Sequence, residues 1–333
     1  MTALAVSVVD SLLGSPPPDL LRLLVVPVFG WAAYRDIKTR RVPNWTWPPL
    51  VLLGVIALAW ETTLLADADA FRTRLFAISV AVSLLLVAPL GYVFWRVGGF
   101  GGADAKAIMT LAVVFPDYPV YLLPAGTLPL HPAPLRVLSL TILSNTVVLG
   151  LAYPLLLAAR NLLRRRIALP MAVARPVSVP EVAETYGRIL ETRTGYTRSG
   201  LDIDALRMYL RWRGTTLTAL RERPDAFRDG DAIPAPEERN DPGDGVLAGA
   251  PVTDGGPIPA VRRIDPWGAE AFLDDVEHAY GTDAETLREG LETLVARETV
   301  WVTPGIPFVV PMFVGLVAAL TFGDILVYLL GLA

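Results

Sequence analysis

The sequence contains no cysteine and only two histidines among its 333 residues. The absence of cysteine excludes disulfide bonds, thiolate zinc sites and a cysteine nucleophile. The two histidines, His131 and His278, lie far apart in the sequence. A metal site built on imidazole ligands is therefore not expected, because such a site needs several ligands in one place.

Charged residues are also scarce, at 19% of the chain, whereas hydrophobic residues make up 53%. Stretches of about 20 residues that are nearly free of charge recur, and this length crosses a bilayer. They lack the alternation of barrel strands, so the sequence predicts an all-α membrane protein with about six transmembrane helices. The predicted spans are Leu20–Tyr34, Trp45–Ala66, Leu75–Trp95, Ala107–Leu123, Leu135–Ala159 and Val309–Leu330.

Most of the charged residues fall between positions 160 and 303, which predicts a large soluble insertion. Its middle, about 223–259, is rich in proline, glycine and acidic residues and predicts disorder, whereas its flanks predict helices. The expected domains are 1–159 with the first five membrane helices, 160–303 with the insertion, and 304–333 with the last helix. No basic residue precedes Arg22, so we expect no cleaved secretory signal at the start.

Arginine and lysine cluster in two segments that border predicted spans, at 35–41 and 160–166. Such residues are enriched in short cytoplasmic loops. With six spans, this rule predicts a multi-pass plasma-membrane protein with a cytoplasmic insertion and external N- and C-termini. The segments that contain Asp36 and Asp104 then both lie on the cytoplasmic side.

Two aspartates stand at predicted helix ends. Asp36 belongs to the segment Arg-Asp-Ile-Lys-Thr-Arg-Arg-Val-Pro-Asn, and Asp104 ends the glycine-rich segment Gly-Gly-Phe-Gly-Gly-Ala-Asp. Carboxylates at a membrane boundary are costly to dehydrate and are therefore functional candidates. Two neighbouring carboxyl groups can hold one water and share one proton. The sequence thus predicts Asp36 and Asp104 as a catalytic pair.

Four further residues are candidates for substrate binding or for shaping the site. Gly101 and Gly102 would let an extended substrate backbone approach Asp104. Lys38 and Lys106, the only lysines, each follow a candidate aspartate by two residues. They would stabilise a carboxylate or contact substrate, although lysines at a membrane interface also serve as topology anchors. No strand precedes the glycines and no Gly-Lys-Ser/Thr follows, so nucleotide binding is not expected.

The pattern Asp-Ile-Lys, then Arg-Val-Pro-Asn, then a glycine-rich loop ending in Asp-x-Lys resembles the type IV prepilin peptidases. The resemblance is to the archaeal preflagellin branch of these GxGD-type membrane aspartyl proteases. Ala103 replaces the glycine that directly precedes aspartate in the stricter motif, which fits the archaeal form. The segment Pro304–Pro311 is similar to the proline-rich start of their last helix. The resemblance covers about residues 20–160 and 300–331.

This resemblance implies an aspartyl endopeptidase that removes a short basic leader from prepilin- or preflagellin-like precursors at the cytoplasmic membrane face. It implies no metal or organic cofactor. The expected partners are these precursors and membrane lipids, with no nucleic acid, and the oligomeric state stays open. Bacterial relatives that also methylate the new N-terminus carry a cysteine-bearing domain. Because this chain has no cysteine, we expect cleavage without methyl transfer, in an archaeal plasma membrane.

Two alternatives remain open. A protease like presenilin or signal-peptide peptidase uses a related pair of motifs, but its first aspartate follows tyrosine inside a span, whereas Arg35 precedes Asp36 at a loop edge. A polytopic transporter or receptor would use the carboxylates to bind ions. Inverted repeats or centrally buried charges would favour that hypothesis, and neither is evident in the sequence.

Overall fold

The structure is a computed structural model that describes residues 7, 11–66, 68–97, 99–229, 239–245, 265–304 and 307–332. The chain divides into two compact units. We call Met1–Tyr153 with Pro307–Ala333 the helical unit, and Pro154–Ile306 the mixed unit.

Several helices of the helical unit begin at a side-chain cap or a proline. Asp69 accepts a hydrogen bond from the Arg72 N–H at 2.8 Å and caps one helix, and Pro48 stands in the first turn of another. The elements are α1 (Pro17–Arg22), α2 (Val25–Thr39), α3 (Trp47–Leu64), α4 (Ala70–Val82), α5 (Ala88–Arg96), α6 (Gly102–Val114), β1 (Tyr121–Leu123), β2 (Gly126–Leu128), α7 (Leu138–Gly150), α8 (Ala152–Leu163, shared with the mixed unit), α15 (Val309–Thr321) and α16 (Ile325–Leu329).

Three of the predicted spans are matched by helices that are long and apolar enough to cross a membrane. These helices are Asn44–Leu64, which includes α3, Ala70–Arg96, in which the π-helical turn Ser83–Val87 joins α4 to α5, and Leu138–Leu163, which consists of α7 and α8. The predictions of a mostly helical chain and of a membrane protein are therefore confirmed. The predicted spans at Leu20–Tyr34 and Ala107–Leu123 overlap the shorter helices α2 and α6.

The last predicted span, Val309–Leu330, is corrected by the structure because it is not one continuous helix. Helix α15 ends at Thr321, and α16 begins at Ile325. Gly323 has φ +104°, outside the helical region, and the Asp324 carboxylate caps α16 by accepting the Val327 N–H at 3.0 Å. At 1.5 Å per residue, α15 extends only about 20 Å, less than the thickness of a bilayer core.

Helix α6 lies inside the apolar core of the helical unit, with Ala107, Leu111 and Ala112 buried. Gly91 of α5 faces it so closely that an added Cβ would come within 3.1 Å of the Ile108 side chain and 3.3 Å of the Ala105 carbonyl oxygen. Small residues allow such close helix packing in membranes. This contact fixes the first turn of α6, which carries Asp104.

The mixed unit combines short helices with a three-stranded antiparallel sheet in the order β3-β5-β4. The sequence predicted an α-rich segment and missed these strands, because two to five residues are too few to show alternation. Tyr209, Trp212 and Phe272 pack in its core. The elements are β3 (Arg175–Ser178), α9 (Val179–Val182), β4 (Arg188–Ile189), α10 (Ile203–Trp212), α11 (Leu217–Glu222), α12 (Pro224–Arg228), α13 (Ala269–Asp275), α14 (Ala284–Ala296) and β5 (Thr299–Thr303).

The segment predicted to be disordered, about 223–259, is described only in part. Residues Pro224–Arg228 form α12, and residues 239–245 are described without helix or strand. Positions 230–238 and 246–259 of the predicted segment lie outside the described residues.

Candidate active site

Asp36 lies near the end of α2, on the face of the helix that packs into the core. Phe29, Ala32 and Ala33, at helical spacing before it, are all buried, and Asp36 itself is only 7% exposed. The helix stops four residues later, where Arg40 adopts a left-handed conformation with φ 55°. The sequence therefore places a carboxylate on the buried face at the end of a helix.

The surroundings of Asp36 leave one of its oxygens unused. The Val309 N–H, at the start of α15, donates a hydrogen bond to the carboxylate. The other oxygen, Oδ2, is buried and has no hydrogen-bond partner among the described residues. Burial raises the pKa of Asp36, and the charge of Arg40 and the Val309 N–H offset only part of that rise. A buried acceptor without a donor is costly in a folded protein, and the cost is typical of a functional site.

Asp104 lies in the first turn of α6. Its Oδ2 accepts a hydrogen bond from the Gly101 N–H at 3.1 Å, as an acidic residue at the third helical position commonly does. Burial and, to a lesser extent, the negative charge of Asp36 raise the pKa of Asp104 to about 6, although the Gly101 hydrogen bond opposes both. The structure thus brings the two predicted aspartates close enough for their charges to interact. Both lie outside the predicted spans.

The glycine-rich loop is tied to the start of α15 by aromatic contacts. The N–H groups of Gly99 and Phe100 donate to the Phe94 carbonyl at 2.7 and 3.2 Å and close the end of α5. The Phe100 ring then stands 5.0 Å from Phe94 and 4.9 Å from Phe308, centroid to centroid. Residue 308 directly precedes Val309, whose N–H bonds Asp36.

Sequence reasoning missed these contacts. Phe100 and Phe308 each stand inside a segment that was singled out for its glycines or prolines. The available signal was an aromatic side chain in both segments, which is a common way to join two chain segments in a core.

The two predicted glycines occupy different surroundings, although both are exposed. A Cβ on Gly101 would lie 3.0 Å from Asp104 Oδ2, closer than an ordinary contact. A Cβ on Gly102 would meet only Trp95 Nε1, at 3.8 Å, which is ordinary van der Waals distance. Gly101 therefore leaves space for the Asp104 carboxylate itself, whereas Gly102 faces open space.

The two lysines are not placed alike either. Lys106 Nζ donates a hydrogen bond to Asn44 Oδ1 at 2.6 Å, which joins α6 to the turn before α3. Lys38 is exposed, and its ammonium lies over the Tyr34 ring at 5.9 Å from the centroid. Two residues along a helix point to nearly opposite sides, so Lys38 projects away from the buried face of Asp36. Within the described ranges no ion pair joins either lysine to an aspartate.

In the part of the chain that the structure describes, no group of three or more histidine, aspartate or glutamate side chains is arranged to hold a metal ion. The site's titratable groups are the two carboxylates. Such a pair can bind and polarise one water between a proton acceptor and a proton donor.

Fold and site together define a membrane protein with two interacting carboxyl groups at helix ends. Residues 23–155 match the model of the type IV leader peptidase family, and residues 269–325 match a model described as archaeal peptidase A24 C-terminus, type II. The family resemblance expected from the sequence is therefore confirmed, and residues 23–155 are similar to the type IV leader peptidase family. Asp36 and Asp104 both fall in the first match, and the second reaches into the insertion, further than the expected resemblance.

Two curated relatives are named preflagellin peptidase. The protein from Methanococcus voltae is 30% identical over 135 residues, which cover 39% of this chain and 53% of the relative. The protein from Methanocaldococcus jannaschii is 26% identical over 135 residues, which cover 40% of this chain and 54% of the relative. The chain thus spans about half the length of the curated relatives it matches.

Proposed function

We propose that this protein is a membrane aspartyl endopeptidase that removes a short basic leader from preflagellin- or prepilin-like precursors. The observation that carries the proposal is the pairing of a buried carboxyl group, Asp36, with a half-buried one, Asp104, close enough for their charges to interact. Among the described residues, Asp36 Oδ2 has no hydrogen-bond donor. The names of the two relatives support the substrate class. Cleavage at the cytoplasmic membrane face, without methyl transfer to the new N-terminus, is part of the proposal.

The surroundings of the two aspartates assign their roles. Asp36 has a cation and a backbone N–H that favour its ionised form, whereas Asp104 experiences the Asp36 charge and favours its protonated form. Asp36 is therefore the general base, with Oδ2 free to accept a proton from water. Asp104 is the general acid and donates its proton to the oxygen of the scissile carbonyl.

The proposed reaction balances without a cofactor. The water oxygen bonds to the carbonyl carbon, one water proton passes to Asp36, and the Asp104 proton passes to the carbonyl oxygen. As the C–N bond breaks, Asp36 gives its proton to the leaving nitrogen, and the second hydroxyl proton of the tetrahedral intermediate returns to Asp104. A free carboxylic acid and a free amine result, and both aspartates regain their starting states.

The remaining predicted residues shape the site in this proposal. Gly101 makes room for the Asp104 carboxylate, and Lys106 holds the start of α6 against the turn at Asn44. Gly102 and Lys38 are exposed, and Lys38 contacts the precursor at a distance from the two aspartates. An extended substrate backbone passes Gly102, where no side chain hinders it.

The test is cleavage of a co-expressed precursor that has a basic leader ahead of an apolar helix. Asp36→Asn and Asp104→Asn should each reduce cleavage by about 1000-fold, since each removes one half of the acid–base pair. Asp69→Asn is the matched control, because Asp69 is an exposed helix cap and asparagine caps equally well. All variants should be present in the membrane at equal levels.

Cleavage that persists in either catalytic variant removes that aspartate from the mechanism. No wild-type cleavage of several such precursors would favour the transporter or receptor hypothesis. Mass spectrometry of the product should show an unmodified N-terminal amine, and a methylated amine would contradict the exclusion of methyl transfer.

The proposed orientation has its own test, for which a chain without cysteine is a suitable background. A cysteine at Ala70 should react with an impermeant maleimide from outside the cell. A cysteine at Val97, which is 73% exposed and precedes the glycine-rich loop, should react only after the membrane is opened. The reverse pattern would place the active site on the external face.

A further inference from the structure

The end of the span Leu138–Leu163 carries a cavity of about 370 Å³ within the mixed unit. Four arginines line it. Three come from the helix end and the turn that follows, and the fourth, Arg175, begins strand β3. The four are Arg160, Arg164, Arg166 and Arg175.

A topology signal alone does not account for this arrangement. Basic residues at the end of a span mark the cytoplasmic side wherever their side chains point, and they also complement the negative end of the helix. Neither role requires Arg175, which lies in a strand, to join the other three around one cavity.

A buried side chain, that of Asn161, holds the chain in the fold that brings the four arginines together. Asn161 is 2% exposed, and its Nδ2 donates hydrogen bonds to the carbonyl oxygens of Met171 at 2.8 Å and Ala174 at 2.9 Å. The Arg166 N–H donates to the Asn161 carbonyl at 2.8 Å. These bonds fold the chain back on the helix end and bring Arg175 to the cavity.

Among the described residues, no carboxylate neutralises the charges in the cavity. Glu181 also lines it, yet among the described residues no ion pair joins any of the four arginines to a carboxylate. Four guanidinium groups around one cavity repel one another, and an anion between them relieves that repulsion. Arginine is the residue best suited to bind the oxygens of a phosphate.

The same turn exposes apolar side chains next to the arginines. Leu163 is 85% exposed, Ile167 71% and Leu169 91%. Large apolar side chains beside a cationic cluster, at the end of a membrane span, are typical of a segment at the lipid interface. Its apolar side chains then enter the acyl region while the arginines face the head groups.

We propose that this cavity binds the phosphate of an anionic membrane lipid, with Arg160, Arg164, Arg166 and Arg175 as its cationic lining. The lining of the cavity includes neither Asp36 nor Asp104, and the proposal does not depend on the peptidase activity. Its occupant is a phospholipid with a net negative head group, since the cavity combines four arginines that form no ion pair within the described chain with exposed apolar residues at the end of a span.

The test uses the full chain in a neutral detergent and follows thermal unfolding by tryptophan fluorescence during titration with phosphatidylglycerol. Phosphatidylglycerol should raise the unfolding temperature of the wild type to a plateau, whereas phosphatidylcholine should have no such effect. Arg175→Gln should raise the half-saturating lipid concentration at least tenfold, and Arg164→Gln should act in the same direction. Arg175 makes no hydrogen bond through its side chain among the described residues, so its replacement leaves the fold intact.

The matched control is Arg165→Gln. Arg165 belongs to the same cluster in the sequence but does not line the cavity. If the arginines were attracted only to the anionic surface in general, each would raise the lipid affinity about fivefold, and replacing Arg165 would weaken binding at least as much as replacing Arg175. Equal effects of the two substitutions would overturn the proposal, as would equal stabilisation by phosphatidylcholine. Stabilisation by inorganic phosphate at the same concentration would overturn the assignment to a lipid.

Discussion

Asp265 of the mixed unit and Asp36 of the helical unit are both buried, but their surroundings are opposite. In the mixed unit, Asp265 is 2% exposed and accepts hydrogen bonds from the N–H groups of Glu270 and Ala271 at 3.1 and 3.0 Å and from Arg288 at 2.9 Å. In the helical unit, Asp36 is 7% exposed, and its Oδ2 has no partner in the described chain. Equal burial therefore does not imply an equal role.

The difference also appears in proton affinity. Burial would raise the pKa of Asp265, but hydrogen bonds from the Ala271 N–H, Arg288 and the Glu270 N–H outweigh it and hold that pKa below its usual range. Burial raises the pKa of Asp36 and that of Asp104, and their partners do not compensate. A carboxylate that supports a fold accepts hydrogen bonds from several donors, whereas one that exchanges protons accepts fewer and keeps a raised pKa.

The sharpest test of this contrast is the stability of two matched variants of the full chain. Asp265→Asn should lower the free energy of unfolding of the mixed unit by about 3 kcal/mol, because Arg288 loses a buried anion and two N–H groups lose a charged acceptor. Asp36→Asn should change stability by less than about 1 kcal/mol or raise it, because it removes an uncompensated buried charge. Thermal unfolding in detergent measures both.

Equal destabilisation by the two substitutions would erase the distinction between a structural and a functional carboxylate.

The pH dependence of stability gives a second check, because the two carboxylates should change the free energy of unfolding in opposite directions as pH rises. The contribution of Asp265 is present above its ordinary pKa of 3.8 and is lost as pH falls through its lower folded pKa. Asp104 is destabilising in its ionised form, so its penalty grows as pH rises from 3.8 through about 6.

The pH dependence of cleavage follows from the same raised pKa. Catalysis needs one proton on the pair, and Asp104 loses it above about pH 6. We expect kcat/KM of the free enzyme to fall about tenfold for each pH unit above that value. A pH–rate profile with a short soluble precursor peptide measures this. A value of kcat/KM that does not change through that range would contradict the assignment of Asp104 as the acid.

The charge coupling can be measured without turnover. Asp36→Asn removes the negative charge that raises the Asp104 pKa, so the Asp104 carboxyl should titrate at a lower pH in this variant. Infrared difference spectroscopy of the protonated carboxyl band reports that titration. An unchanged titration would show that the two groups do not act as a pair.

The two glycines test whether the site depends on the position of Asp104. Gly101→Ala should reduce kcat about tenfold with little change in KM, because the new Cβ at 3.0 Å displaces the Asp104 carboxylate. Gly102→Ala should leave kcat nearly unchanged, because its Cβ meets Trp95 at 3.8 Å. Cleavage assays at several precursor concentrations separate the two constants, and a larger loss in Gly102→Ala would reverse the proposed roles.

Part of this molecule was accessible from the sequence. Of the six spans that hydropathy predicted, three coincide with helices that are long and apolar enough to cross a membrane. Helical spacing after Phe29 already places Asp36 on the buried face. The hydrogen bond from Val309 to Asp36 was not accessible, because it joins residues at opposite ends of the chain. The break at Gly323 was missed because it lies inside an apolar run: α15 ends before Gly323, and Asp324 caps the start of α16.

The two lysines give the smallest expected effect and extend the contrast to cations. Both follow an aspartate by two residues, but among the described residues Lys106 alone of the two makes a hydrogen bond, to Asn44. Lys106→Met should lower kcat/KM a few fold, since about 1 kcal/mol of support for the start of α6 is lost. Lys38→Met should retain kcat, because its contact with Tyr34 is exposed, and any loss should appear in KM as weaker precursor binding. If kcat falls in Lys38→Met and not in Lys106→Met, the lysine that supports the active site is Lys38, and the hydrogen bond to Asn44 has no part in positioning Asp104.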